Sequence, residues 1–226
     1  MTKEDFHKPC WSKVISALKK NRILPLIEAP NIDTGLKTLE IIYEAGINAV
    51  EIALRTTHAL SIIEKGTREF PDLIIGAGSV IEKNQIIQVK KRGASFAVSP
   101  GFDPEVGKLA RENTLPLIPG VATPTEVQLA LANGFEILKT FPISLIGGPK
   151  WIKAVEAPFI QIGILWIPTG GINEDNLGLF LKLKSVLACA GSWIAPKERI
   201  RNKDFKYIRE KAKAAIEISK RFMEEE

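Results

Sequence analysis

Short apolar segments recur along this chain at a spacing of about two dozen residues, and helix-like amphipathic stretches separate them. Each apolar segment is nearly continuous, as expected for parallel strands that are covered on both faces. A strand followed by a helix, repeated many times, is typical of an α/β fold with a parallel sheet. The predicted strands are residues 23–28, 49–54, 73–77, 96–99, 115–119, 137–141, 165–168 and 185–190.

The connecting segments carry the start and stop signals of helices. Residues 34–45 have apolar side chains at helical spacing and end before Gly46. Other helices begin at an N-cap residue, in two cases followed by a first-turn proline. These starts are Asp103-Pro104, Thr123-Pro124, and Asn173 or Glu174. We also predict a leading helix over residues 10–20 and a closing helix over residues 203–226.

The pattern favours a closed barrel over an open sheet. Eight predicted strands with intervening helices and no long linker fit one domain over residues 1–226, a (β/α)8 TIM barrel with an extra N-terminal helix. An open dinucleotide-binding sheet would need a glycine-rich turn after its first strand, and residues 28–31 (EAPN) contain no glycine.

Cysteine and histidine give no support for a metal site or a disulfide framework. Cys10 and Cys189 are too few and too far apart for either, and His7 and His58 have no partner at ligand spacing. We therefore expect no metal, no cofactor and a reducing cytoplasmic location. The first ten residues lack the apolar core of a signal peptide, and no apolar run is long enough to span a bilayer.

The formal net charge of +5 raises the alternative of nucleic-acid binding. However, basic residues alternate with acidic ones, as in residues 203–221, which is typical of a solvated helix face. A mildly positive field also suits a small anionic substrate. We expect small-molecule partners and neither nucleic acid nor membrane.

The second predicted strand carries two candidates for chemistry. A strand's period of two places Glu51, Ala53 and Arg55 on one side. If that side faces the interior, a carboxylate lies deep and a guanidinium lies above it at the carboxyl-terminal rim, where barrel active sites assemble. The alternative is a structural ion pair that closes one layer of the barrel.

A lysine lies in the middle of the sixth predicted strand. Lys139 follows Ile137 and Leu138, and a buried lysine is costly unless it is paired, uncharged or functional. Burial disfavours the ammonium form, and an uncharged amine attacks a carbonyl carbon. The alternative is a lysine near a strand end whose ammonium group reaches solvent.

Glycine-bearing turns close the last two predicted strands, at Gly170-Gly171 and at Gly191-Ser192. In barrels the backbone N–H groups of these loops frequently hold a phosphate. Glycine lets the backbone approach the anion closely. Two such turns after two successive strands predict an anion site.

Other residues follow strands on the same rim. Ser79 lies after the third predicted strand, where its hydroxyl could donate to a substrate carboxylate. It could equally be an N-cap or a turn former. Pro100 follows the fourth predicted strand.

Seven short motifs, in order over about residues 23–196, resemble those of the KDPG/KHG aldolase family, the 2-keto-3-deoxy-6-phosphogluconate and 4-hydroxy-2-oxoglutarate aldolases. They are EIALRT (51–56), GAGSV (76–80), VSPG (98–101), LIPG (117–120), LKTFP (138–142), PTGG (168–171) and GSW (191–193). The resemblance implies a homotrimeric barrel enzyme that needs no metal. It also implies reversible cleavage of a 2-keto-4-hydroxy acid into pyruvate and an aldehyde.

The resemblance also assigns roles to residues. Lys139 is similar to the Schiff-base lysine of the family, and Glu51 to its general acid/base. Arg55 is similar to the clamp on the pyruvyl carboxylate. The remaining matches are Ser79 as a second carboxylate contact, Pro100 as a substrate contact, Thr169 as the residue of stereochemical control, and Gly170, Gly171, Gly191 and Ser192 as phosphate-binding positions.

Three departures from the family pattern bear on substrate choice. Ser79 stands where the family usually has threonine, and Thr140 stands where an aromatic or aliphatic residue is frequent. Residues 143–148 read ISLIGG, not the common alanine- or glycine-plus-glutamate pattern. Because that loop borders the expected site, the choice of substrate stays open.

The hypothesis is a class I aldolase that cleaves 2-keto-3-deoxy-6-phosphogluconate (KDPG) through a Schiff base on Lys139. Rival substrates are unphosphorylated 4-hydroxy-2-oxoglutarate, which gives pyruvate and glyoxylate, and the galactonate-derived epimer. A phosphate-binding isomerase or synthase, with Lys139 only electrostatic, is a second enzyme class. A phosphosugar-binding barrel without turnover is the non-enzymatic alternative.

Overall fold

Residues 9–223, the part of the chain that this computed structural model describes, form nine short strands that alternate with helices. His7 and the last predicted residues of the closing helix, 224–226, lie outside that part. The strands are β1 (Ile23–Ile27), β2 (Ala49–Ala53), β3 (Ile74–Gly78), β4 (Phe96–Val98), β5 (Leu117–Ile118), β6 (Gly120–Val121), β7 (Ile137–Thr140), β8 (Leu165–Pro168) and β9 (Cys189–Gly191).

Helices precede, connect and follow these strands. They are α1 (Pro9–Asn21), α2 (Ile32–Glu44), α3 (Ala59–Glu69), α4 (Lys83–Lys91), α5 (Pro104–Glu112), α6 (Pro124–Ala132), α7 (Pro149–Glu156), α8 (Glu174–Leu181), α9 (Lys197–Arg201) and α10 (Phe205–Arg221), with a 3-10 turn at Ala157–Phe159. Among the described residues every helix is too short or too polar to cross a lipid bilayer.

All strand pairs are parallel, and they form a curled six-stranded sheet and a three-stranded sheet. The larger sheet has the order β5-β4-β3-β2-β1-β9, and the smaller one has the order β6-β7-β8. Parallel strands with helical crossovers bury both sheet faces, which explains why the strand residues are almost all buried. The α/β prediction is confirmed.

The chain passes from one sheet to the other at Pro119, which divides the predicted strand 115–119. β5 pairs with β4, and β6 pairs with β7. Proline has no N–H to give to a ladder, but the Pro119 carbonyl accepts a 2.9 Å hydrogen bond from the Lys139 amide. A Cβ on Gly120 would lie 2.1 Å from the Pro100 carbonyl oxygen, so this crossing requires glycine.

The other edges of the two sheets are linked by isolated bridges instead of a full ladder. Trp166 is bridged to Val186, and Thr169 to Ala190. The predicted strand 185–190 is therefore wrong in its bounds, since only Cys189–Gly191 pairs as a strand, with β1. The bridge between Thr169 and Ala190 brings the turns after β8 and β9 side by side.

The predicted helix starts are largely confirmed. Asp103, Thr123 and Asn173 are N-caps whose side chains accept backbone N–H bonds. The second helix begins earlier than predicted, because Asn31 caps it and accepts from the Thr34 amide. Gly46, with φ of +93°, follows this helix as expected.

Candidate active site

A lysine and a glutamate meet inside the protein, one from each sheet. Lys139 on β7 and Glu51 on β2 approach to 3.5 Å between Nζ and Oε1, and their side chains are 6% and 0% exposed. The predicted alternative, a lysine that reaches solvent, is wrong. The second oxygen of Glu51, Oε2, is buried and has no hydrogen-bond partner within residues 9–223. A buried carboxylate oxygen without a partner is costly, so this atom is available to a hydroxyl or a water.

Gly78 at the end of β3 gives the Glu51 carboxylate its space. A Cβ at this position would lie 2.0 Å from Glu51 Oε1. Gly76 on the same strand is required for a similar reason, because a Cβ at this position would lie 2.3 Å from the Phe96 ring. Close neighbours therefore explain both glycines of the GAGSV motif.

Arg55 lies at the rim and is held at two of its nitrogens. Its Nε donates to Ser79 Oγ at 3.0 Å, and its Nη1 lies 3.6 Å from Glu28 Oε2. The arginine side chain is 50% exposed, in contrast to Glu51. Because the partners are Glu28 for Arg55 and Lys139 for Glu51, the predicted alternative of a structural ion pair between Glu51 and Arg55 is wrong.

Ser79 is a turn residue, and it is not an N-cap. Its backbone is in the left-handed region with φ of +59°, and the N-cap of the following helix is Glu82. The Ser79 oxygen accepts from Arg55, so its own hydroxyl proton remains able to donate to a carboxylate. Ser79 and Arg55 therefore form one donor group next to Gly78.

Glu28 and Lys197 also lie at this rim, although neither was predicted as a site residue. Glu28 follows β1 and forms ion pairs with both Arg55 and Lys197. A carboxylate directly after an apolar strand was a usable signal, since charged residues at that end of a barrel strand face the site. Its second partner is 169 residues away in the chain, which no local pattern shows.

The glycine turn after β8 has its carbonyl groups engaged. The Thr169 carbonyl accepts from the Ile143 amide at 2.9 Å, and the Gly170 carbonyl accepts from the Ser144 amide at 3.1 Å. The Gly171 carbonyl accepts from Asn176 Nδ2 at 2.8 Å. Both glycines have positive φ, +96° and +80°.

The remaining predicted positions differ in their access. Thr169 is buried, and its hydroxyl donates to the Ile167 carbonyl at 3.1 Å. Ser192 and Pro100 are exposed at the rim, whereas Gly191 is buried against the Trp193 ring. Pro100 lines a surface cleft together with Val80 and Phe102 after β3 and β4.

Other nucleophiles and metal ligands contribute little to this region. Burial raises the pKa of the Cys189 thiol well above its usual range, so this cysteine stays protonated. Within the described part of the chain, no group of three or more His, Cys, Asp and Glu side chains could hold a metal ion. The chemistry available at the site is that of an amine, a carboxylate and a guanidinium.

Known proteins resemble this chain over most of its length. The family model described as KDPG and KHG aldolase matches residues 14–211. The KHG/KDPG aldolase of Escherichia coli K12 is 35% identical over 205 residues, which are 91% of this chain and 95% of that protein. The 2-dehydro-3-deoxy-phosphogluconate aldolase of Pseudomonas aeruginosa is 34% identical over 206 residues, 91% of this chain and 93% of that protein.

A solved structure resembles the fold to the same extent. The KDPG aldolase of Legionella pneumophila, solved with pyruvate captured at low pH as a covalent carbinolamine intermediate, has a TM-score of 0.84 and 35% identity. The match covers 89% of this chain and 97% of that one.

Proposed function

The chain belongs to the KDPG and KHG aldolase family and is therefore a carbon–carbon lyase, and on this basis we propose that Lys139 is its Schiff-base nucleophile. The proposed reaction is the reversible cleavage of 2-keto-3-deoxy-6-phosphogluconate to pyruvate and glyceraldehyde 3-phosphate. The observation that carries the assignment is the enclosed contact of Lys139 with Glu51 at 3.5 Å. An amine and a carboxylate without solvent around them suit imine formation and proton transfer.

In this mechanism the amine of Lys139 adds to the C2 carbonyl, and loss of water gives a cationic imine. The imine accepts the electron pair of the C3–C4 bond as that bond breaks. Glu51, directly or through a water, takes the proton of the C4 hydroxyl, and its partner-free Oε2 supports this role. Protonation of the enamine at C3 and hydrolysis then release pyruvate and restore the free amine.

Arg55 is the proposed clamp on the pyruvyl carboxylate. Its Nε and Nη1 are engaged by Ser79 and Glu28, which leaves Nη2 and one hydrogen of Nη1 for two parallel hydrogen bonds. Fixing the carboxylate fixes the carbonyl relative to Lys139. Ser79 adds its hydroxyl to the same carboxylate, and Pro100 borders the pyruvyl end.

The far end of the substrate is assigned to the two glycine turns. Gly170, Gly171, Gly191 and Ser192 would hold the phosphate. The first turn supports this, since the carbonyl groups of Gly170 and Gly171 are engaged while their N–H groups have no backbone partner among the described residues. Thr169, beside the turn, is the proposed contact for stereochemical control at C4. Cleavage of 4-hydroxy-2-oxoglutarate is a second candidate, which the name of the E. coli relative, KHG/KDPG aldolase, supports.

Three further features, the closure of the barrel, the oligomeric state and the location, complete the proposal. We propose that the two sheets close into one eight-stranded barrel, with β5 and β6 counted as a single interrupted strand, which the bridges Trp166–Val186 and Thr169–Ala190 support. We propose a homotrimer, which light scattering would report as the mass of three 24.9 kDa chains. The free thiols of Cys10 and Cys189 support a cytoplasmic location.

The direct test is borohydride reduction in the presence of pyruvate, followed by peptide mass mapping. We expect a pyruvyl adduct on Lys139. The variant Lys139→Ala should keep its circular dichroism spectrum and lose both the adduct and cleavage of KDPG. An adduct on another residue, or cleavage by the variant, would refute the assignment.

A further inference from the structure

The loop that follows the lysine strand is tied to the glycine turn by its main chain. Ile143 is fully buried and donates its amide to Thr169, and the next amide, of Ser144, donates to Gly170. A Cβ on Gly170 would lie 3.3 Å from the Phe141 ring, so the turn packs directly beneath this loop. The position of residue 144 relative to the turn is therefore fixed by backbone contacts.

The Ser144 side chain lies over Gly171. A Cβ on that glycine would be only 2.2 Å from Ser144 Oγ. The serine is exposed, and within residues 9–223 its hydroxyl makes no hydrogen bond. A hydroxyl that lies beside the turn on a backbone held in place, and has no protein partner, is available to a ligand.

We propose that Ser144 is a specificity-determining residue whose hydroxyl donates a hydrogen bond to the substrate's terminal phosphate. This proposal rests on the proposed function, because it takes the turn at Gly170 and Gly171 as the phosphate end of the site. The carbonyl oxygens of Gly170 and Gly171 already accept hydrogen bonds, whereas the N–H groups of these two glycines have no backbone partner within residues 9–223, and the serine adds an O–H beside them. Donors without competing acceptors select an anion.

The consequence concerns which acids the enzyme accepts. A hydroxyl paired to a phosphate oxygen favours a 2-keto-4-hydroxy acid with a phosphorylated end over the same carbon chain with a free hydroxyl. Pyruvate, which lacks this end, does not reach the turn. Loss of the Ser144 hydroxyl should therefore change the selection of the phosphate without changing the chemistry at Lys139.

The experiment compares Ser144→Ala with the parent enzyme on two substrates that differ only in the phosphate, KDPG and 2-keto-3-deoxygluconate. For KDPG we expect kcat/KM to fall roughly tenfold or more, as for loss of a hydrogen bond to a charged group. For pyruvate, the rate of borohydride trapping on Lys139 should be unchanged. Cleavage of the unphosphorylated acid, at whatever rate the parent shows, should also be unchanged.

Two further variants separate recognition from loop packing. Ser144→Asp places a negative charge against the phosphate and should lower kcat/KM for KDPG beyond the alanine variant, while pyruvate trapping is retained. Leu145→Ala changes a neighbouring side chain that is 83% exposed, and it should leave the preference for KDPG as in the parent.

The outcomes also separate this proposal from the proposed function. If the parent enzyme traps no pyruvate on Lys139, the function itself fails. If trapping succeeds but Ser144→Ala lowers kcat/KM equally for KDPG and the unphosphorylated acid, or changes neither value, Ser144 has no part in phosphate selection. An unchanged KDPG preference in Ser144→Asp would overturn the proposal as well.

Discussion

The interior pair and the rim of this site are built in opposite ways. Lys139 and Glu51 lie within the sheets with side chains at most 6% exposed, and glycine at position 78 gives the carboxylate its space. Arg55 at the rim is half exposed, and Ser144 is exposed on a loop. The interior groups are positioned by strands, whereas the rim groups are positioned by one another and by turns.

This difference indicates a division of tasks. Groups that react with the substrate must keep their geometry to within a fraction of an ångström, and strands of a packed core provide that. Groups that select the substrate can lie on loops, where the side chains vary without disturbing the core. Substitutions inside should therefore lower kcat, and substitutions at the rim should act mainly on KM and on substrate preference.

The sharpest comparison uses the same substitution in both regions. Glu51→Gln should lower kcat for KDPG about 100- to 10,000-fold, since the proposed general base is lost while the shape is kept. Steady-state assays of cleavage measure this directly. A kcat near that of the parent would show that Glu51 only positions Lys139 and that another group takes the proton.

Gly78→Ala tests whether the interior depends on the space beside Glu51. The added Cβ would overlap Oε1, so the carboxylate must move, and a displacement of about 1 Å costs roughly 100-fold in rate. Gly101→Ala is the matched control, because its Cβ meets no atom within 4 Å. Equal kcat values for the two variants would contradict the geometric argument.

Glu28→Gln is the rim counterpart of Glu51→Gln. Loss of its pairing with Arg55 should raise KM for KDPG about two- to fivefold, the range expected for an ion pair whose arginine is half exposed, with kcat little changed. Pyruvate binding followed by trapping should weaken to the same degree. A fall in KM would mean that Glu28 repels the substrate carboxylate instead of holding the arginine.

The smallest effect concerns stability in the interior. The Thr140 hydroxyl is fully buried and has no hydrogen-bond partner within the described residues. Thr140→Val should raise the free energy of unfolding by about 1 kcal/mol. Thr38→Val, at an equally buried hydroxyl that donates to the Thr34 carbonyl, should lower it by a similar amount. Urea denaturation of both variants measures the contrast, and a loss of stability in both would show that Thr140 has a partner.

The sequence predicted the interior better than the rim, and the reason is physical. A charge inside a continuous apolar strand is costly, so Lys139 and Glu51 were conspicuous from their neighbours alone. That they share one site was implied by the family resemblance, and the structure brings them to 3.5 Å from strands of two different sheets. The family resemblance, read from seven motifs, was confirmed by the matching family model.

The rim depends on contacts that no local pattern contains. Glu28 is close to Lys197 although 169 residues separate them, and Ser144 meets Gly171 only because two loops are bonded together. Pro119 indicated that the fifth predicted strand is interrupted. The reason for the interruption, which is that the chain passes there from one sheet to the other, is visible only in the structure. The roles predicted for all site residues, at the rim and in the interior, stay predictions.

The backbone hydrogen bonds between the loops after β7 and β8 have a practical consequence for changing the substrate range of this enzyme. Since the amides of Ile143 and Ser144 provide the attachment, the exposed side chains at positions 144 and 145 can be exchanged in a library without releasing the loop, whereas Ile146 packs against the core and is kept. Longer, shorter or differently charged aldehydes could then be recruited by varying two neighbouring codons while Lys139, the proposed nucleophile, stays untouched.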